Sequence, residues 1–181
     1  SDPENRLIWR ANRKRLTAEA IRDSILSVSG QLSMQQGGPT IRKFSQYDWG
    51  YEFNTIRRSV YVPLFRNTLL EVMEAFDVAN PNVVSGRRSE TTLPTQALYL
   101  MNSPFVNAEA ERAGERIIRS GVSDAERVRL VYRLALGREP SAVEVDVVMK
   151  FIEESKTGEK SGAWSALVHS LFGSVDFRHL D

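Results

Sequence analysis

The side chains best suited to bind a ligand lie in a polar stretch near the middle of the chain, between residues 77 and 102. Tandem arginines there precede two threonines and Pro94, a residue suited to the first turn of a helix. Guanidinium groups bind carboxylate, phosphate or sulfate through paired hydrogen bonds, and a helix start offers free N–H groups to the same anion. With an earlier tandem pair included, the predicted anion- or ligand-binding residues are Arg57, Arg58, Arg87, Arg88, Thr91, Thr92 and Gln96.

The same stretch also permits a structural interpretation, which the residue types favour. A long ordered loop has many backbone groups to satisfy, and Asn, Thr and Arg side chains satisfy them well. Arg87 and Arg88 would then pair with acidic neighbours such as Glu74, Asp77 or Glu90 and hold the loop in place. Both interpretations stay open at the level of sequence.

A catalytic interpretation of the loop is the first alternative. Asp77 and Glu90 would serve as acid and base of a hydrolase acting on an anionic, sulfated polysaccharide, and the arginines would hold the anionic groups. Glycoside cleavage requires two carboxylates about 5–10 Å apart in a cleft. The separation of these two side chains therefore tests the hypothesis.

Other catalytic and metal sites find little support in the residue types. The chain has no cysteine, which excludes a thiol nucleophile, a disulfide framework and a cysteine zinc site. Its two histidines, His169 and His179, are too few for a three-histidine metal site. No Gly-x-Ser-x-Gly motif and no phosphate-binding glycine loop occurs. We therefore favour a non-catalytic domain, with no metal and no cofactor.

Charge and composition narrow the classes of partner. The 24 basic and 23 acidic residues give a net charge of +1. The basic run over residues 6–15 therefore predicts a solvated helix face, and we expect no nucleic-acid partner. No apolar run approaches the roughly 20 residues that a membrane-spanning helix needs, so we expect no membrane span in this chain.

Helices are the elements that must position these residues. Thr17 is suited to begin the first helix, and Ser103-Pro104 to begin a later one. Ser123 and Ser141 each precede a glutamate by three residues, the pattern of a capping box. Alternating aromatics and breaker residues over 31–65 indicate an irregular or weakly β insert. The predicted fold is mainly α, a bundle of capped helices in a single domain over 1–181, with a soft internal boundary near 120.

Through a series of short motifs along the chain, the sequence resembles a known family, the C-terminal PSD-type domain of unknown function from large secreted planctomycete and verrucomicrobial proteins. The motifs that carry the resemblance are Leu16–Ser24, Gly37–Pro39, Arg57–Tyr61, Phe76-Asp77, Gly86–Arg88, Thr91–Leu98, Leu100–Ser103, Phe105, Leu134–Pro140 and Phe177–Asp181. The resemblance covers nearly the whole chain. It supplies no catalytic residue that could be transferred to this sequence.

The resemblance implies a biological setting for the domain. Members of the family lie at the C-terminal end of a long chain, often after a cytochrome-c-like domain. The sequence is thus expected to be a C-terminal fragment of a periplasmic or extracellular protein, with haem held elsewhere in the parent. The implied function is an accessory module that contacts neighbouring domains or carbohydrate. A second alternative is a docking module for a haem electron-transfer domain.

Overall fold

The chain folds around helices, as the capping signals predict. A computed structural model describes residues 5–8, 11–43, 51–84, 86, 88, 91, 93–155 and 160–180. Within these residues the helices are α1 (Ala18–Ser29), α2 (Glu71–Ala75), α3 (Pro94–Asn102), α4 (Pro104–Arg119), α5 (Asp124–Leu136), α6 (Ala142–Glu154), α7 (Lys160–Gly173) and α8 (Val175–Arg178). A 3₁₀ turn spans Ser59–Tyr61. The prediction of a mainly α fold is confirmed.

Most of the predicted caps form. The hydroxyl of Thr17 accepts a hydrogen bond from the backbone N–H of Ala20, and Ser123 caps α5 in the same way. Ser141 makes a complete capping box with Glu144 at the start of α6. Ser103 does occupy the position before Pro104, but its buried hydroxyl makes no capping bond. The start of α4 is thus set by proline, whose fixed φ suits a first helical turn.

The core lies between α4 and α7, and α1 also packs against α4. Large apolar side chains of α7, among them Trp164, Val168 and Phe172, are almost fully buried. Gly114 of α4 lets the two helices approach closely. A Cβ added there would lie 2.7 Å from the backbone nitrogen of Ser165.

Short strands join distant parts of the chain. Strand β1 (Lys14–Arg15) pairs antiparallel with β4 (His179–Leu180), which places Lys14 opposite Leu180. Strands β2 (Arg42–Lys43) and β3 (Tyr51–Glu52) form a second antiparallel pair. This second pair confirms the weak β character predicted for the insert. Two of the aromatics that suggested it, Tyr47 and Trp49, lie outside the described residues.

The insert also carries an aromatic cluster. The ring of Tyr51 stacks on Phe65 with centroids 4.2 Å apart, and Phe53 lies 6.1 Å from the same ring.

Among the described residues no helix is both long and apolar enough to cross a membrane.

Candidate functional site

Three of the predicted site residues meet at the C-terminal end of α2. Asp77 follows the C-cap residue Phe76 and has a φ of +58°, in the left-handed region. Its carboxylate accepts hydrogen bonds from the backbone N–H and the hydroxyl of Thr91, at 2.9 and 2.8 Å. The amide of Gln96, fully buried, donates to the carbonyl of Thr91 at 2.9 Å. Arg15, which the sequence did not single out, donates to Asp77 at 2.9 Å.

These contacts set the protonation of Asp77. Partial burial raises the pKa of its carboxyl group, but the two hydrogen bonds from Thr91 and the positive charge of Arg15 outweigh burial, so the net shift of the pKa is downward. The ionised form is therefore favoured, which suits an acceptor and not a proton donor. Glu90, the other carboxylate of the hydrolase hypothesis, lies outside the described residues, so the separation of the two stays untested.

Arg57 binds a different part of the chain. It is buried, and its guanidinium group donates to the carbonyl oxygens of Gln35 and Pro39 at 3.3 Å and to that of Gly37. The Cζ atom of its guanidinium group also lies 5.3 Å from the ring centroid of Tyr61. Arg57 therefore holds the turn at residues 35–39.

The remaining predicted residues do not join either group. Arg58 is exposed. Arg88 reaches the first turn of α1, where it pairs with Glu19 at 2.7 Å. Arg87 and Thr92 lie outside the described residues. The structure therefore brings Asp77, Thr91 and Gln96 together, and it places Arg57 and Arg88 in separate contacts with other parts of the chain.

A pocket of about 530 Å³ opens where α1, α2, α3 and α4 meet the segment 53–56. This α1–α4 pocket falls in the usual range for small-molecule sites, about 300–1,000 Å³. Its floor is buried and its rim exposed. The floor residues are Arg22, Leu26, Val72 and Glu109, and the rim residues are Asn54, Ile56, Glu71 and Arg112. The half-buried rings of Phe53, Tyr99 and Phe105 form its walls.

Arg22 and Asp23 fix the wall of the pocket that the insert supplies. Arg22 donates to the backbone carbonyl of Arg57 at 2.9 Å and to the hydroxyl of Ser59 at 3.1 Å, and it also reaches the carbonyl of Thr55. Asp23 accepts from the backbone N–H of Ser59 at 2.8 Å and from its hydroxyl at 2.7 Å. This network attaches residues 55–59 to α1, so the wall is held by charged hydrogen bonds.

Glu109 is the most unusual group in the pocket. It is 4% exposed, and one of its carboxylate oxygens, Oε1, pairs with Arg112. The other oxygen, Oε2, is buried and has no hydrogen-bond partner in the described part of the chain. Leaving a buried acceptor unsatisfied costs about 1–3 kcal/mol, and more for a charged group. A buried carboxylate with one unpartnered oxygen is therefore expected to lower the stability of the fold.

The sequence contains a signal for Glu109 that the motif search missed. Buried residues of α4 recur at Val106, Ala110, Ala113 and Ile117, and Glu109 lies on this apolar stripe, three residues after Val106. A charged residue at such a position is rarely buried without a reason. Its partners across the pocket come from distant segments, and those could not be found from spacing alone.

The electrostatics of the pocket are balanced. Its lining carries the two arginines Arg22 and Arg112 and the two glutamates Glu71 and Glu109. Burial raises the pKa of Tyr99 and outweighs the opposite effect of a hydrogen bond with Ser103, while the negative charge of Glu71 raises the pKa further. The Tyr99 phenol is thus neutral at physiological pH and can both donate and accept a hydrogen bond.

Two other surface pockets give less support for a ligand-binding site. One, of about 790 Å³, lies beside α4 and is lined by Arg112, Arg116 and Arg119. All three arginines already have partners, since Arg116 donates to the last carbonyls of α1 and the others pair with glutamates of α4. The other, of about 670 Å³, borders the turn that Arg57 holds.

Among the described residues, no three His, Asp or Glu side chains lie close enough together to bind a metal ion. His169 bonds the carbonyl of Leu100 at 2.9 Å, and His179 bonds that of Val175 at 3.0 Å. Both histidines therefore contact backbone of the fold.

Fold and pocket together define a mainly helical domain with a cavity of ligand size on one flank of its helix bundle. The family PSD1, described as a protein of unknown function (DUF1553), matches residues 1–152, and the chain belongs to this family. The resemblance drawn from the sequence motifs is thus confirmed. No curated protein and no solved structure matches the chain. Helices α7 and α8 lie beyond the matched residues, although they supply much of the core.

Proposed function

We propose that this chain is a non-catalytic binding module and that the α1–α4 pocket holds a carbohydrate. The observation that carries the proposal is the lining of the pocket, in which aromatic walls stand above a floor that holds a buried, half-satisfied carboxylate. A sugar ring presents an apolar C–H face and a rim of hydroxyl groups. Pockets that bind such ligands combine apolar walls with a few fixed polar groups.

Each part of the pocket has a role in this proposal. Phe53 and Phe105 would contact the apolar face of a sugar ring, and the neutral phenol of Tyr99 would exchange hydrogen bonds with its hydroxyls. The amide of Asn54, at the exposed rim, supplies both donors and an acceptor. This site differs from the loop around Arg87 and Arg88 that the sequence indicated.

The cellular setting forms part of the same proposal. The module would belong to a periplasmic or extracellular protein and would pack against neighbouring domains of its parent. The resemblance carried by the motif series is the ground for this setting. Fractionation of cells that produce the full-length parent with an epitope tag tests it. A tagged parent retained in the cytoplasm would contradict it.

The binding proposal is tested by screening the protein on an array of oligosaccharides and then measuring the affinity of the strongest binder by titration calorimetry. Ile56 lies at the rim of the pocket and is 46% exposed. We expect Ile56→Trp to obstruct the mouth and weaken binding at least tenfold, and Ile56→Ala to change it less than threefold. Val60→Trp is the matched control, because Val60, four residues further along the chain, is 69% exposed but does not line the pocket.

The possible results of the binding measurements lead to different conclusions. Circular dichroism and the melting temperature first establish that each variant is folded. Binding that survives Ile56→Trp unchanged, or a wild-type protein that binds no glycan of the array at millimolar concentration, would overturn the proposal. A loss of binding in Val60→Trp equal to that in Ile56→Trp would move the site away from the pocket.

A further inference from the structure

We infer that the sugar site extends beyond the α1–α4 pocket, and that its ligand is an oligosaccharide of several units bound along its length. The inference rests on the proposed function and adds the size of the ligand. It starts from the pocket of about 670 Å³ beside residues 35–39, the turn pocket. Asn54, Thr55 and Ile56 line both the turn pocket and the α1–α4 pocket.

The border that the two pockets share is accessible to a ligand. Asn54 and Ile56 are both exposed, so a chain that fills one pocket can cross these residues and enter the other. The two volumes, about 530 and 670 Å³, together exceed the upper end of the range for small-molecule sites, about 1,000 Å³. A ligand that occupies both pockets must therefore be larger than a typical small molecule, as a chain of several sugars is.

The turn pocket offers the kind of hydrogen bonds that sugar hydroxyls make. Five of its lining residues carry a neutral hydroxyl or amide group, and none of the five is fully buried: Ser33, Gln35, Thr40, Asn54 and Thr55. Such groups both donate and accept, as sugar hydroxyls do. Asn54 donates from Nδ2 to Glu52 at 3.2 Å, and its Oδ1 atom can still accept from a ligand. The lining thus suits a hydroxyl-rich chain.

The wall of the turn pocket is held in place by the protein itself. Arg57 is buried, and its Nε, Nη1 and Nη2 atoms all donate to carbonyl oxygens of residues 35–39. Ser33 donates its backbone N–H to the carbonyl of Ile56 at 2.9 Å, which joins the two chain segments that line the pocket. A wall that is already ordered loses less conformational entropy when a ligand binds.

The length of the oligosaccharide tests the inference on the wild-type chain. Titration calorimetry compares oligosaccharides of two to six units prepared from cellulose, xylan and mannan. We expect a series that binds to gain at least tenfold in affinity from two units to six, because the longer chain adds contacts in the turn pocket without a second loss of translational freedom. Equal affinity for two and six units would overturn the inference and leave the proposed function standing. Absence of binding by every member at millimolar concentration would overturn both.

The variant Gln35→Leu locates the added contacts. It removes an exposed amide from the lining of the turn pocket and keeps a side chain of similar size. We expect the hexasaccharide to bind about 3- to 10-fold more weakly, the range for loss of one neutral hydrogen bond. The disaccharide should change less than twofold, because it is held in the α1–α4 pocket.

Gln36→Leu is the matched control. It makes the same chemical change at the next residue, which is exposed but does not line the turn pocket, so hexasaccharide binding should stay within twofold of the wild type. Circular dichroism establishes that both variants are folded. Wild-type affinity for the hexasaccharide in Gln35→Leu would overturn the inference. An equal loss in Gln36→Leu, or an equal loss for the disaccharide, would also overturn it.

Discussion

Replacement of Gly114 by alanine tests the packing on which the pocket depends. Gly114 lies on α4, between the turn that carries Glu109 and Arg112 and the end of the helix. A Cβ at this position would meet the backbone of α7, 2.7 Å from the nitrogen and 3.0 Å from the Cα of Ser165. Backbone atoms of a helix cannot move aside singly, so the two helices would have to separate.

The size of the effect follows from these distances. Ordinary contact begins near 3.4 Å, so the 2.7 Å approach requires a separation of about 0.7 Å. Overpacking of this kind costs about 1–3 kcal/mol, and a gap of 0.5–1 Å also forfeits part of the dispersion energy at the interface. Alanine regains up to about 1 kcal/mol through its higher helix propensity. We expect a net loss of about 2 kcal/mol, which lowers the melting temperature of a chain of this length by about 4–8 °C.

Gly162 provides the matched control. It lies within α7 and is exposed, and a Cβ added at this position would meet no atom within 4 Å. Gly162→Ala should therefore leave stability unchanged or raise it by up to about 1 kcal/mol. Urea unfolding followed by circular dichroism, with calorimetry for the melting temperature, measures both variants. A Gly114→Ala protein as stable as Gly162→Ala would refute the close approach of α4 and α7.

Two further predictions concern charged groups. Asp77→Asn should lower the free energy of unfolding by about 1–3 kcal/mol in urea, because Arg15 and Thr91 lose a charged acceptor; unchanged stability would show that this cluster is not structural. The hydrogen bond from Arg138 holds the pKa of Glu144 at about 2, below that of an unfolded chain, so the stabilising effect is present above about pH 4 and is lost as the pH falls toward 2. Glu144→Gln should therefore be less stable than wild type by about 1 kcal/mol at pH 7, after allowance for solvent screening, with the difference vanishing near pH 2 in pH-dependent thermal melts; a difference independent of pH would contradict this.

Local signals predicted much of the fold. Ser141 and Glu144 form the capping box that their spacing indicates, because a cap depends on residues within one turn. The β character of the insert was also visible. The pairing of β1 with β4 was not, since each strand has two residues and the partners are more than 160 positions apart. Such short strands carry no periodicity that could identify them.

The candidate site was harder to predict, because it is assembled from distant segments. Residue type alone groups Arg57 and Arg58 with Arg88. In the structure Arg57 is buried and binds the turn at residues 35–39, whereas Arg88 pairs with Glu19. Glu109 attracts no attention as a motif, since its significance depends on the apolar stripe around it and on an unpaired oxygen that only coordinates can show.

The pairing of β1 with β4 has a consequence for engineering. Adjacent antiparallel strands lie about 5 Å apart, so Lys14 and Leu180 can be bridged by a linker of a few residues. A circular permutant with new ends in an exposed connection, such as the one that contains Gly121, should keep the bundle intact. By the same geometry, the helical body could be inserted into a surface loop of a host protein, entering and leaving at nearly the same point.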